Sequence, residues 1–350
     1  MRVVVFGASG NVGTSVLRSL ADEPAVDEVV GVCRRLPSLD APKVEWRKAD
    51  ISSSPLRPLL KGADAVVHLA WLIQPARDRA TVRATNVDGT ARLLRAVAAA
   101  GVPSLVYASS VGAYSPGPKD RRVDESWPTG GIPTSFYSRH KAEVERLLDR
   151  FEAEQPATRV VRLRPGLIFK REAASGIRRL FAGPLLPGSL LRKGLIPVVP
   201  ATERLVFQAL HSYDVGEAYR LALVSDLDGA FNLAADPVLD PEQRASFFGA
   251  RRLPLPQALL RGGAAATYKL RLQPSESGWV DLALGVPLLD TSRARSELGW
   301  QPEHTSTEAL DDLLQGMREG AGLDTPPLEP GNAGPARVRE FLSGVGARVG

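Results

Sequence analysis

Tyr137 and Lys141 stand four residues apart in SFYSRHKAEVERLLD (Ser135 to Asp149), one turn apart on what the apolar spacing predicts as an amphipathic helix. A carbonyl that receives a hydride needs a proton on its oxygen, and a phenol can donate one. A free phenol with a pKa of ~10 is a reluctant base for the reverse step. An ammonium one turn away stabilises phenolate and is expected to pull the tyrosine towards working pH. Just upstream, VYASSVGAY (Val106 to Tyr114) is a β-branched run ending on Ser109 and Ser110. Consecutive elements are usually neighbours in space, so hydroxyl, phenol and ammonium are expected to converge, with a serine hydroxyl hydrogen-bonding the reacting oxygen. The chain holds six tyrosines and eight lysines, so the spacing alone equally fits a core tyrosine followed by a solvent-facing lysine.

The elements that must position these groups are legible over the first 165 residues. Short apolar runs at VVVF (3), EVVGVC (28), VEW (44), AVVHLA (65), SLVYAS (104) and TRVVRLR (158) alternate with longer helical patterns. The clearest helix is TNVDGTARLLRAVAAAG, Thr85 to Gly101, ending on glycine. Alternation of this kind predicts an α/β fold, a Rossmann-type doubly wound parallel sheet wrapped by helices. After Pro165 proline and glycine become frequent, which predicts a smaller, irregular C-terminal substrate lobe. The expected division is 1–165 for the dinucleotide-binding domain, with returning segments at about 205–234. The substrate lobe takes 166–204 and 235–322, and 323–350 is linker and tail. Leu180 to Pro200 is apolar but broken by Pro, Gly and an Arg-Lys pair, and reads as a mobile flap rather than a membrane span.

FGASGNVGTSVLRSL places Gly7, Gly10 and Gly13 between the first strand and the first helix. Such a turn lets a pyrophosphate approach a helix N-terminus, where free N–H groups and the helix dipole favour negative charge. Ser9, Asn11 and Val12 share the turn. At the end of the second strand, where an acidic residue would hold an NAD ribose, stand Cys33, Arg34 and Arg35. Two guanidinium groups there favour the 2′-phosphate of NADP, with NAD the alternative; arginines at a strand end are also ordinary surface residues. Asp50, with Ile51 beside it, either reaches the adenine amine or simply closes a turn. Leu69 and Ala70, ending the fourth strand, are expected to border the cofactor by topology, and Thr85, just before Asn86, is a further candidate for its lining. Asn86 caps the following helix or faces the site. His68 reads as a satisfied core histidine, and His211 with Asp214 as a fastening between lobes.

Taken together, GASGNVG, HLA (His68 to Ala70), NVDGT (Asn86 to Thr90), VYASSVGAY, YSRHK (Tyr137 to Lys141) and RPGLIF (Arg164 to Phe169) resemble, in order and spacing, the extended short-chain dehydrogenase/reductase family of the NAD(P)-dependent epimerase/dehydratase type. The match runs from Met1 to about residue 315. The resemblance implies Ser110, Tyr137 and Lys141 as catalytic residues, Lys141 also on the nicotinamide ribose, and Pro165 beside the cofactor. It also implies pairing of chains through the helices containing Asn86 and Tyr137, a possible homodimer. Phe6 and Trp71-Leu72 depart from the family pattern, the latter making the nicotinamide side bulkier and more apolar than a sugar epimerase suggests.

The leading expectation is therefore an NADP-dependent reductase or dehydrogenase acting on a carbonyl or secondary alcohol, with a small-molecule substrate that is partly apolar or nucleotide-linked. A nucleotide-sugar epimerase or dehydratase retaining its cofactor is the second, with Arg171, Arg178, Arg179, Arg192 and Arg204 as candidate diphosphate ligands. The usual dehydratase Asp-Glu pair is missing from VYASSVGAY. A non-catalytic NADP sensor is the third, disfavoured because such relatives tend to lose the tyrosine or lysine and both are here. The net charge of +5 comes from 44 basic and 39 acidic residues with no block resembling a nucleic-acid arm or polybasic anchor. Cys33 is the only cysteine and the four histidines lack metal-ligand spacing, so no metal site and a cytoplasmic setting are expected.

Overall fold

The computed structural model describes residues 1–73, 78–181, 194, 196–273 and 275–330. In chain order its first half runs β1 Arg2–Phe6, α1 Asn11–Ala21, β2 Glu28–Cys33, β3 Val44–Lys48, β4 Ala65–His68, α2 Arg79–Arg83, α3 Gly89–Ala100, β5 Ser104–Ala108, β6 Arg122–Val123 and α4 Phe136–Glu154. It continues with β7 Arg159–Pro165, β8 Leu167–Phe169, α5 Ala174–Phe181, β9 Val198–Ala201, β10 Ala209–His211, α6 Ser212–Val224 and β11 Gly229–Leu233. The last elements are α7 Pro241–Phe248, β12 Arg251–Pro254, α8 Gln257–Lys269, α9 Ser277–Gly285, β13 Leu288–Leu289, α10 Ser292–Ser296 and α11 Ser306–Glu319.

Seven strands form one parallel sheet in the order β3-β2-β1-β4-β5-β7-β11. The strand order reverses beside β1, and the crevice outside the carboxyl ends there is where such sheets take ligands. Alternation along β1 divides the core. Val3 and Val5 face the layer of α1 and α6, with Leu17, Leu20, Val215 and Tyr219. Val4 and Phe6 face the layer of α3 and α4, with Leu93, Val97, Val144 and Leu148. Both faces are buried, so these strands read as continuous Val-rich runs.

Two expectations need correction, and a third falls largely outside the described residues. The helix expected from Thr85 begins at Arg79, and Ala84–Asp88 forms a π-turn between α2 and α3. Asn86 therefore caps nothing. Beyond the sheet the chain is largely helical rather than irregular: α7 to α11 lie there, with small two-stranded pairings of β12 with β9 and β13 with β6. Proline misleads because it sits at helix starts, Pro241 in the first turn of α7 and Pro256 at the N-cap of α8. The expected flap ends in strand β9; its 182–193 stretch lies outside the described residues, as does the tail from 331. Among the described residues no helix is long and apolar enough to cross a membrane.

Candidate active site

The turn after β1 is made by backbone. Gly7 adopts φ +85° and its amide donates to Val32 O at the end of β2 (2.9 Å). A Cβ on Gly13 would lie 2.3 Å from Gly7 O and 2.5 Å from Ala8 O, so only glycine lets the helix start this close to the turn. Gly10 is the N-cap and no side chain caps α1. The first intrahelical bond is Thr14 N to Gly10 O (3.0 Å), which leaves the amides of Asn11, Val12 and Gly13 at the helix mouth as donors for an anion. Asn11 Nδ2 donates to Ile168 O (3.4 Å), while its Oδ1 is buried with no partner.

Around this turn the sequence-predicted residues take distinct places. The backbone of Leu69 and Ala70 abuts Gly7, where a Cβ would come within 2.8 Å of Ala70 N. Ser9 is buried and hydrogen-bonds Cys33, whose thiol burial pushes up. Arg34 and Arg35 are exposed just beyond β2. Asp50 Oδ1 accepts from Ser52 N (2.8 Å) and Ser52 Oγ (2.6 Å), the turn-closing alternative for that carboxylate. Ile51 is buried; its carbonyl accepts from Arg92 (2.7 Å). Thr85 is buried in the π-turn and Pro165 at the end of β7. Lys170, which the sequence reading passed over, reaches under the turn: Nζ donates to Asn11 O (2.9 Å), Thr14 Oγ1 (2.7 Å) and Ser15 Oγ (3.1 Å). Burial lowers its pKa to about 8. The signal was a lysine directly after the apolar LIF strand.

At the far side of the crevice Ser110, Tyr137 and Lys141 are brought together. Ser135 caps α4 by accepting from Ser138 N (3.4 Å). Ser138 Oγ in turn donates to Gly112 O and accepts from Ile132 N (2.6 Å), tying the start of α4 to the loop after β5. Ser110 lies beside the Tyr137 phenol and favours its ionised form. A Cβ on Gly112 would lie 2.7 Å from Tyr137 Cε1, so this glycine permits the approach of ring and hydroxyl. The neighbouring Ser109 is committed elsewhere, donating to fully buried Glu145. Burial would raise the Glu145 carboxyl, but Arg164 (3.0 and 2.9 Å), Ser109 and Arg162 (3.0 Å) hold it down at about 2. This charged hub joins α4 to β5 and β7.

The electrostatics oppose the simplest expectation. Burial lifts the Tyr137 phenol to about 12, against the lowering effect of Ser110. Burial likewise lowers the Lys141 ammonium to about 7, with Glu145 the opposing influence. Lys141 does not pull the phenol down here because its Nζ is engaged by Ala108 O (2.6 Å) and Tyr107 OH (3.4 Å) and lies 3.6 Å from the Trp71 ring centroid. Trp71 is also edge-on to Tyr137 at 6.1 Å, and its indole N–H is buried without a partner. Trp279, from α9, tilts against Tyr137 at 5.3 Å. Asn86 holds the Trp71 loop by a two-way clamp on Leu72, accepting from its N (2.7 Å) and donating to its O (3.1 Å). His68 is a core histidine: Thr90 Oγ1 donates to Asn86 O (2.7 Å) and so accepts from His68 Nε2 (2.8 Å), and burial lowers the imidazole to about 3. His211 binds Asp312 (3.2 Å) and Asp214 binds His304 (3.1 Å), fastening α6 to the chain around α11. Among the described residues no cluster of three or more His, Cys, Asp or Glu side chains could hold a metal ion.

The model of the NAD dependent epimerase/dehydratase family matches residues 3–233. The chain belongs to that family. It is of the extended short-chain dehydrogenase/reductase type. An uncharacterised protein of Mycobacterium tuberculosis is 27% identical over 326 residues, covering 92% of this chain; the chain spans only 31% of that relative's length. The UDP-glucose 4-epimerase of Mycolicibacterium smegmatis is 27% identical over 337 residues, 91% of this chain and 99% of the enzyme. The decarboxylating sterol-4-alpha-carboxylate 3-dehydrogenase of Saccharomyces cerevisiae is 25% identical over 260 residues, 71% of this chain and 68% of the enzyme. In fold, the Thermus thermophilus UDP-glucose 4-epimerase complex with NAD aligns with TM-score 0.67 and 23% identity over 91% of this chain and 99% of that one. The family is NAD-dependent, and the phosphate end of this member, a helix mouth whose first three amides have no intrahelical partner, fits a dinucleotide.

Proposed function

We propose that this family member is an oxidoreductase that moves a hydride between a nicotinamide dinucleotide, NADP in preference to NAD, and a carbonyl or secondary alcohol on a largely apolar substrate. The observation that carries the reading is the Tyr137 phenol next to Ser110 and Lys141 and walled by Trp71 and Trp279. When bound, the nicotinamide supplies or accepts the hydride. The amides of Asn11, Val12 and Gly13 hold the pyrophosphate, and Arg34 and Arg35 the 2′-phosphate. Ser110 aligns the substrate oxygen. Tyr137, protonated across the neutral range, donates its proton to that oxygen during reduction and takes it back during oxidation. Lys141, freed from the indole, steadies the ribose and the phenolate.

An apolar substrate is supported by what surrounds the phenol: Val82, Phe136, Trp71, Trp279 and Leu282. The segments 166–204 and 235–322 would supply the rest of its pocket. Two of the five cations expected for a diphosphate are engaged otherwise, Arg171 by Asp312 (2.8 Å) and Arg204 by the carbonyls of Leu284 (3.1 Å) and Gly117 (2.7 Å), while Arg178 is half-buried on α5. Arg192 and the side chain of Arg179 lie outside the described residues. Epimerisation is the second reading, supported by the near full-length match to the mycobacterial epimerase.

The test is a paired assay. Steady oxidation of NADPH with a panel of apolar ketones, exceeding that with NADH, is the expected result. Interconversion of UDP-glucose and UDP-galactose by protein that co-purifies with non-exchanging cofactor, seen in native mass spectrometry, would replace it with the epimerase reading.

A further inference from the structure

From Gln243 to Ser275 the chain contains no acidic residue and six basic ones, Arg244, Arg251, Arg252, Arg261, Lys269 and Arg271. Arg244 is buried on backbone carbonyls, Arg252 lies 3.8 Å from Glu242, and Arg261 pairs with Asp281 at 2.8 Å. Arg251, Lys269 and Arg271 are exposed, and the described ion pairs include none of them. The same stretch carries exposed aliphatic side chains: Leu253 (51%), Leu259 (64%), Leu270 (68%) and Leu272 (44%). Helix α8 has no buried residue at all. Leu259, Gly262, Ala266 and the C-cap Leu270 are all exposed, at the 3-4-4 spacing of one helix face. An outward apolar stripe flanked by lysine and arginine, without acids, is the pattern of a helix lying in a membrane interface.

We infer that α8 and its flanks form a docking surface for an anionic lipid membrane. Charge decides between occupants. A two-fold contact with a second copy would bring each unpaired Lys269, Arg271 and Arg251 towards its own counterparts, whereas anionic headgroups neutralise them and the bilayer edge takes the leucines. Long lysine and arginine stems let the charges reach the headgroups while the aliphatic face sinks. The location has a use. Helix α8 packs on α9, which carries Trp279 against Tyr137, so the docked face belongs to the cover of the catalytic tyrosine. An apolar carbonyl compound would meet the crevice from the lipid side. The docking itself does not depend on the hydride-transfer reading.

Sedimentation of the full chain with vesicles tests it. Binding to phosphatidylcholine vesicles containing phosphatidylglycerol, absent with phosphatidylcholine alone and weakened by salt, is expected. Leu259→Gln with Leu270→Gln, and separately Lys269→Ser with Arg271→Ser, should each weaken partition about thirtyfold, from ~1 kcal/mol per basic residue near the surface and comparable apolar loss. Both pairs lie on exposed positions, so unchanged circular dichroism and melting accompany the loss. No sedimentation at low salt, or partition that neither double variant alters, overturns the inference. So does a dimer abolished by the leucine substitutions without any vesicle binding, which gives the face to a second copy, or salt-sensitive capture of an acidic protein in place of lipid.

Discussion

The two ends of the crevice are built from different materials. At the Gly7–Gly13 end the groups that meet a ligand are backbone amides, fixed by a helix start and by contacts in which a Cβ has no room. They carry no titratable proton and need no rearrangement. At the Tyr137 end the groups are side chains in a dry environment, and burial moves the phenol to about 12 and the ammonium to about 7, each towards its neutral form. Lys141 is spoken for by Ala108 O and the Trp71 face. On the proposed function, the difference teaches that the binding geometry is preset whereas the proton chemistry is conditional: Lys141 would have to turn from the indole before acting on the phenol.

The sharpest way to break the comparison is Gly13→Ala. A methyl group 2.3 Å from Gly7 O forces the turn open, and we expect dinucleotide affinity to fall by about a hundredfold by calorimetric titration. Overpacking should cost ~1–3 kcal/mol of stability as well. An unaltered affinity would mean that the turn does not meet the pyrophosphate.

Trp71→Ala probes the other end with a smaller effect. Losing the indole removes a cation–π contact of ~0.5–2 kcal/mol that favours the ammonium, but lets water reach Lys141; burial is the larger influence, so the pKa should rise from about 7 towards the ordinary lysine value. The pH profile of the reaction should shift upward while cofactor affinity changes less than fivefold. A profile that stays in place would place Trp71 away from the proton path.

How much of this could be read beforehand follows the same division. The glycine turn, the strands and the Tyr137–Lys141 spacing are local, so periodicity and spacing reveal them. Trp71 on Lys141, Trp279 on Tyr137 and the Glu145 hub join segments far apart in the chain, and no local pattern encodes such contacts. The early start of α2 had a faint signal in Asp78, whose carboxylate accepts from Thr81 N (3.0 Å), but the polar RDRATVRAT stretch hides the apolar face. The prolines of α7 and α8 resembled breaks because their place at a helix start shows only once the helix is seen.

A further effect is a stability difference with a definite sign. Lys141 titrates near its ordinary value of ~10.5 when unfolded and at about 7 when folded, so between those values the unfolded chain binds the extra proton. Stability of the native protein therefore falls as pH is lowered from ~10.5 to about 7, and is flat with respect to this group below that. Lys141→Met lacks the penalty, so its melting temperature relative to wild type should climb over the same range. A constant difference would mean the ammonium is not desolvated.

The central claim is that Tyr137 gives its proton to a carbonyl reduced beside it. The direct measurement uses NADPH deuterated at the transferring position and follows label into the alcohol product, in wild type and Tyr137→Phe, with NADPH affinity measured in both. Label transfer in wild type, slowed by ~10²–10⁴ in Tyr137→Phe at equal NADPH affinity, is the predicted result. Equal transfer rates in the two proteins would contradict the account.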